Sequence, residues 1–323
     1  MTDKPKISIL MGSKNGGRFV RETLDSILKQ SFTDYELVVV DCLSTDNSLD
    51  ILQEYKDSGM NVRWKSEQDR HTDEGVYKAM EMARGEYIMF MCISDGYNDP
   101  DWFKKCVDVL DSDPEVSMVY GSGFPITEDG VPLDSYRQNY SENPPPSKEE
   151  FFPFWLGTFT LCLELAWCVR ADVFRKCFPK FEESGYFLQN QAVFAFNYNF
   201  NIGGYLTRFL TGKAIFGREH GDSNSVTMRK FNAKMKEQYK TAITKYANDL
   251  FSGLVKHSFR DGNSNVIKEL SREDLDSFRK KALHYRINRR AYLCRRDRGF
   301  IRYWRKKLKI LALYYLSNKR IYR

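Results

Sequence analysis

Three acids in this 323-residue chain follow apolar runs, a placement suited to ligand chemistry. Asp41 closes "ELVVVD", Asp69 lies in "SEQDRHTDEG" after "NVRWKS", and Asp95 lies in "ISDGYNDP" after "YIMFM". A fourth run, "ISILM", leads into the small loop "GSKNGG", which holds Asn15. Carboxylates delivered this way suit a nucleotide. One buried carboxylate can accept a base N–H. Another can hold a divalent cation that bridges two phosphates, and hard oxygen ligands suit Mg²⁺ or Mn²⁺. The plainer reading of Asp95 is the start of a turn, since Asp, Gly, Asn and Pro dominate turns. The loop "GSKNGG" does not fit G-x-G-x-x-G, and no G-K-[ST] stands there. Phosphate charge therefore has to be met by a metal or by basic residues.

The elements that must position these acids read as an alternation. "ISILM", "ELVVV", "NVRWKS" and "EYIMFM" are strand candidates. Between them "RFVRETLDSILKQ" repeats apolar residues at helical spacing, as do "SLDILQEYKDSG", "DEGVYKAMEMARG" and "DPDWFKKCVDVLDSDP". Apolar strands alternating with helices predict an α/β fold, with a mostly parallel sheet and helices on both faces. In such a sheet ligands bind outside the carboxyl ends of the strands, where the acids fall. Regularity drops after about Gly130. The stretch from Phe151 to Phe216 is rich in aromatics, as core or as the walls of an acceptor pocket. From Val226 the pattern is helical and polar.

Composition narrows the class. No run approaches eighteen apolar residues, and the N-terminus reads as unsecreted. The 7 cysteines are scattered without a C-x-x-C pair and read as reduced thiols. The net charge of +7 divides unevenly: Ser271 to Arg323 carries 18 Lys+Arg against 4 Asp+Glu. Such a tail seeks an anionic surface, a membrane or nucleic acid.

The stretches "ISILMGSKNGGRFVRETLDSILKQSFTDYELVVVDCLSTDNSLDIL" and "SEQDRHTDEGVYKAMEMARGEYIMFMCISDGYNDPDW" resemble family 2 glycosyltransferases of the GT-A fold, of the bacterial polysaccharide type. The resemblance spans about residues 5–225 and is strongest over 5–130. It implies transfer of a sugar, with inversion, from a nucleotide-diphospho-sugar to a glycan or lipid-linked acceptor in cell-envelope biosynthesis. By position it puts Asn15 in the first nucleotide loop, Asp41 at the base, Asp46 in the S-T-D element and Asp69 near the ribose. Asp95 matches the first acid of the family's S-D-D, and Gly96 stands where the second, usually the metal ligand, is expected. Three outcomes follow. Asp95 takes the Mg²⁺ or Mn²⁺ itself; Asp99 swings in, unless it caps the helix at Pro100; or Arg and Lys neutralise the diphosphate without a metal. His220, in "REHGDSNS", would complete a metal shell with Asp95 or contact the diphosphate, and a plain loop histidine is the alternative.

The family's general base is an acid, yet the corresponding positions here are Gln189, Asn190 and Gln191. Glu164, in the apolar "LCLELAWCV", is the candidate base, or else an ion-pair partner of Arg170. Glu183, in "FEES", is the second candidate, or else a solvated loop acid. The expected organisation is a nucleotide-sugar-binding half over 1–130, an acceptor-binding half over 131–225, and a helical basic extension over 226–323. The rival reading is a non-catalytic nucleotide-sugar-binding or scaffolding relative.

Within the tail, Ile301, Trp304, Leu308, Leu311 and Tyr315 recur every three or four residues among Arg302, Arg305, Lys306 and Lys309. This predicts a cationic amphipathic helix over 298–320 that lies on an anionic membrane. A helix docked on the protein's own core, or paired in a homodimer, gives the same pattern. No recognition motif accompanies the charge, so nucleic acid is not expected. The expected location is cytoplasmic, peripheral on the inner face of the cytoplasmic membrane.

Overall fold

The computed structural model describes residues 4–70, 72–133, 148–162, 164–178, 192–221, 229–298 and 308. The first half alternates as the periodicity predicts. β1 (Ile7–Ser13), α1 (Val20–Leu28), β2 (Tyr35–Asp41), α2 (Ser48–Asp57), β3 (Val62–Ser66), α3 (Thr72–Met82) and β4 (Tyr87–Phe90) follow one another. A two-residue strand β5 (Gly96–Tyr97), then α4 (Trp102–Ser112) and the long β6 (Val116–Ile126), complete it. The second half holds α5 (Phe151–Thr158), β7 (Trp167–Arg170), α6 (Ala171–Cys177), α7 (Ala192–Ile202) and β8 (Leu206–Arg218). Then come α8 (Arg229–Phe251), the hairpin β9 (Ser258–Arg260) and β10 (Val266–Glu269), and α9 (Arg272–Arg298).

Eight strands form one sheet in the order β3-β2-β1-β4-β7-β6-β8-β5. β3, β2, β1 and β4 run parallel, with Ser13 opposite Asp41 and Asp41 opposite Ser66. Their carboxyl ends therefore share one rim. β7 is antiparallel to β4 and β6, β8 is parallel to β6, and β5 closes antiparallel on β8.

Alternation along the central strands sends side chains to two cores. Ile7, Ile9, Met11, Leu37, Val39 and Met89 meet α1 and α4, where Leu24, Ile27, Phe103 and Cys106 are buried. Leu10, Val38, Val40 and Ile88 face the other way, toward α3, α5, α6, α7, α8 and α9. Each fully buried aliphatic side chain contributes about 1.5–3 kcal/mol, so a register slip that exposed one face would be prohibitive. The aromatic stretch of the second half is mostly core: every residue of α5 is buried, and Trp155 Nε1 donates to Tyr239 Oη at 2.8 Å.

At the amino rim, opposite the carboxyl ends of β1 to β4, the fully buried Glu36 is clamped. It accepts from Ser8 Oγ at 2.7 Å, from Arg84 N at 2.8 Å and from the Arg63 guanidinium at 2.9 Å. Burial pushes its carboxyl up, but the bonds from Ser8, Arg84 and Arg63 outweigh it and hold the group below its ordinary range.

Candidate active site at the carboxyl rim

The loops after β1 and β2 are stitched together side chain to main chain. Asn15 adopts a left-handed backbone, φ 49°, tolerated by Asn better than by most residues. Its N–H donates to Ser44 Oγ at 2.7 Å, and its Oδ1 accepts from Thr45 N at 2.9 Å. Gly16 N donates to Ser48 Oγ at 2.9 Å and Gly17 N to Asp46 Oδ2 at 2.8 Å. Gly16 packs closely against the segment after β4: a Cβ there would lie 2.3 Å from Ile93 Cδ1, so that side chain would have to move. Asp46 also accepts from Ser48 N at 3.0 Å and from the Ser48 hydroxyl. Burial pushes the Asp46 carboxyl up, yet the bonds from Ser48 and Gly17 win and hold it low, so it stays an anion.

Asp41 lies under this platform, fully buried. Its carboxylate accepts from Ser44 N at 2.9 Å, from Ser66 Oγ at 2.8 Å and from the Ser44 hydroxyl. It thus ties the ends of β2 and β3 to the loop that carries Ser44. Asp69, its side chain 6% exposed, is ion-paired with Lys78 of α3 at 2.6 Å, and Lys78 also reaches Glu67 at 3.0 Å.

Asp95 takes part in a turn and presents a buried carboxylate to the strand end of β8. Its N–H bonds Cys92 O at 3.1 Å and closes a turn. Its carboxylate, in a residue 7% exposed, accepts the main-chain N–H of Arg218 at 2.7 Å. Thr23 Oγ1 of α1 donates to the Asp95 carbonyl at 2.6 Å. The end of β8 is thereby brought against the segment after β4, and His220 comes with it, its ring 4.9 Å from that of Phe19.

Gly96 has no space for the acid the family pattern places there. It pairs with Phe216 in the β5–β8 ladder, and a Cβ would lie 2.4 Å from Phe216 Cζ and 2.9 Å from Ser26 Oγ. Asp99 does not replace it. Its Oδ1 accepts from Asp101 N at 3.0 Å and its Oδ2 pairs with Lys105 at 2.6 Å, so it organises the start of α4. Among the described residues no group of three or more His, Cys, Asp and Glu is placed to hold a metal ion. Of the two metal-ligand candidates, Asp95 presents a carboxylate at the rim, and His220 lies two residues beyond Arg218, whose main-chain N–H donates to that carboxylate. The Asp95 carboxylate is the hard oxygen ligand that suits Mg²⁺ or Mn²⁺ when phosphate oxygens supply the remainder, whereas an imidazole is a softer ligand type more usual for Zn, Cu, Fe or Ni.

The second half of the chain is described in part. Glu164 opens a 3₁₀ turn, Glu164–Ala166, leading into β7. Its side chain, Glu183, the amides Gln189–Gln191 and most of residues 298–320 lie outside the described residues. Arg170, the alternative partner of Glu164, donates to the carbonyls of Leu110 at 2.6 Å, Val116 at 2.9 Å and Asp113 at 3.2 Å. Asp73 Oδ2 of α3 accepts from Ala192 N at 3.0 Å, which fixes the start of α7 beside the segment carrying Asp69. Sequence reasoning passed over Arg218, whose side chain is 3% exposed. The available signal was an arginine two residues before His220, closing the short apolar stretch 214–216.

A family model described as "Glycosyl transferase family 2" matches residues 8–178. A Bacillus subtilis (strain 168) protein with the provisional name of teichuronic acid biosynthesis glycosyltransferase TuaG is 32% identical over 141 residues. That match takes in 41% of this chain and 52% of TuaG, so the chain spans about half the length of that relative. Among solved structures, TarS 1-349 of S. aureus in complex with UDP-GlcNAc superposes with a TM-score of 0.55 at 16% identity, covering 90% of this chain and 74% of that one. The mannosyltransferase PcManGT of Pyrobaculum calidifontis, in complex with GDP-Man and Mn²⁺, gives a TM-score of 0.51 at 15% identity, covering 99% and 84%. At these identities the structural likeness concerns the fold, a GT-A-like curled sheet flanked by helices.

Proposed function

This chain belongs to glycosyl transferase family 2, and on that premise we propose that it transfers a sugar, with inversion, from a nucleotide-diphospho-sugar to a glycan or lipid-linked acceptor. The observation that carries the reading is the convergence of Asn15, Asp41, Asp46 and the Asp95–Arg218 junction on one rim. The platform of Asn15 and Asp41 receives the nucleoside, with Asp69 toward the ribose. Asp95, with His220 beside it, would hold a divalent cation together with the diphosphate. When bound, the cation neutralises charge on the leaving diphosphate. Glu164, or failing it Glu183, takes the proton of the attacking acceptor hydroxyl. The complexes of TarS with UDP-GlcNAc and of PcManGT with GDP-Man make UDP- and GDP-sugars the classes to try first. The same reading divides the chain into donor (1–130), acceptor (131–225) and basic (226–323) parts. No helix among the described residues is long and apolar enough to cross a membrane. The basic segment 298–320 is the proposed contact with an anionic membrane surface, at its cytoplasmic face.

The second reading, a non-catalytic nucleotide-sugar-binding relative, is favoured by one observation, the Phe216 ring that fills the place of the second acid. A panel of UDP- and GDP-sugars, each with Mn²⁺ or EDTA, separates the two. Release of nucleoside diphosphate from one donor supports the enzyme. Binding of a donor without release on any acceptor extract supports the second reading.

A further inference from the structure

We propose that Arg218 is the positioning residue of this site, holding Asp95 and His220 in place for the donor diphosphate; this rests on the glycosyltransferase reading above. The Arg218 side chain is 3% exposed, and its ion-pair partner Glu22 of α1 is 55% exposed. A buried guanidinium with one half-exposed partner is a poor device for stability alone, because desolvation offsets the Coulomb gain. Its bonds go instead to the segments around Asp95. Nη2 donates to Glu22. Nη1 donates to the carbonyls of Glu128 at 2.6 Å and Thr127 at 3.3 Å, in the turn after β6. Nε reaches the carbonyl of Ser94, the residue before Asp95, at 3.3 Å.

Two further ties make the arrangement specific. The main-chain N–H of the same residue donates to Asp95 Oδ1 at 2.7 Å. The Phe19 ring lies 5.1 Å from the Arg218 guanidinium carbon and 4.9 Å from the ring of His220. One side chain therefore fixes α1, the β6 turn, the β4 segment and the strand end that carries both Asp95's donor and His220. The planar five-donor fork is what spans these acceptors, and a lysine ammonium cannot reach them all at once.

The test compares the full chain with Arg218→Met, Arg218→Lys and Glu22→Gln. Donor affinity is read by isothermal titration with Mn²⁺ present, kcat and acceptor KM separately, and folding by thermal melt. Arg218→Met is expected to weaken donor affinity and kcat by about tenfold or more while leaving acceptor KM in place. Arg218→Lys is expected to recover part of both. Arg218→Met that melts earlier but binds donor as the parent does overturns the role. Should Arg218→Met fail to fold, Glu22→Gln gives the reading: an about threefold loss of donor affinity supports the role and an unchanged constant overturns it. A parent chain that binds no nucleotide-sugar overturns the underlying reading, and the positioning role with it.

Discussion

The ring of Phe216 stands where a side chain on Gly96 would have to go: a Cβ there would meet Phe216 Cζ at 2.4 Å. The two residues pair in the β5–β8 ladder, so neither backbone is free to yield. An acid cannot simply be restored at this position. Gly96→Asp is expected to lower stability by about 1–3 kcal/mol through overpacking, and to weaken donor binding rather than strengthen it. Denaturant melts and donor titration check both. Adding Phe216→Ala should return part of the lost stability, and the double-mutant cycle measures the coupling.

Asp41 works through the loop it holds. Asp41→Ala leaves Ser44 N and the Ser66 hydroxyl without their carboxylate. The expected cost is about 2 kcal/mol of stability. Donor affinity should fall further than stability does, since Asn15 bonds the same Ser44. Titration of donor into folded Asp41→Ala is the check.

Glu36 is the control acid at the far rim. Glu36→Gln breaks a buried pair with Arg63 and Arg84 and should cost about 3 kcal/mol. Donor affinity of the folded variant should not move. The folded carboxyl lies below its ordinary 4.5, so its stabilisation is full above that value and is lost as pH falls through the folded pKa. A melt series from pH 6 downward reads this, and Glu36→Gln should flatten the acid end.

His257 is buried, stacked on Phe152 at 3.9 Å, with Tyr246 Oη 2.8 Å from Nδ1. Burial, helped by the charge of Arg260, pushes its pKa down to about 3. The fold therefore favours the neutral ring. Its contribution is full above the ordinary 6.5 and declines as pH falls toward 3. Between pH 6.5 and 4.5, before most carboxylates titrate, this amounts to roughly 2 kcal/mol. His257→Gln should remove that slope in chemical melts followed across the interval.

The first half of the fold was legible because its strands are apolar and end in acids. "ELVVV" and "YIMFM" announce buried parallel strands, and their carboxyl ends fall on one rim by topology alone. β6 and β8 were not legible as strands. Gly121, Gly123 and Pro125 interrupt β6, and much of β8 is partly exposed, so neither shows the apolar run of a central strand. Gly96 was visible as a departure from the family pattern. Its cause was not, since Phe216 lies 120 positions away and meets it only through β5–β8 pairing. Arg218 was hidden for the same reason: its acceptors are carbonyls, which no side-chain pattern reveals.

The most direct measurement is isothermal titration of UDP- and GDP-sugars, with Mn²⁺, into the parent chain, Asp95→Asn and Glu36→Gln. The expected result is binding by the parent and Glu36→Gln with the same constant, and loss of at least about tenfold in Asp95→Asn. Equal binding by Asp95→Asn and the parent would contradict a donor site at the carboxyl rim.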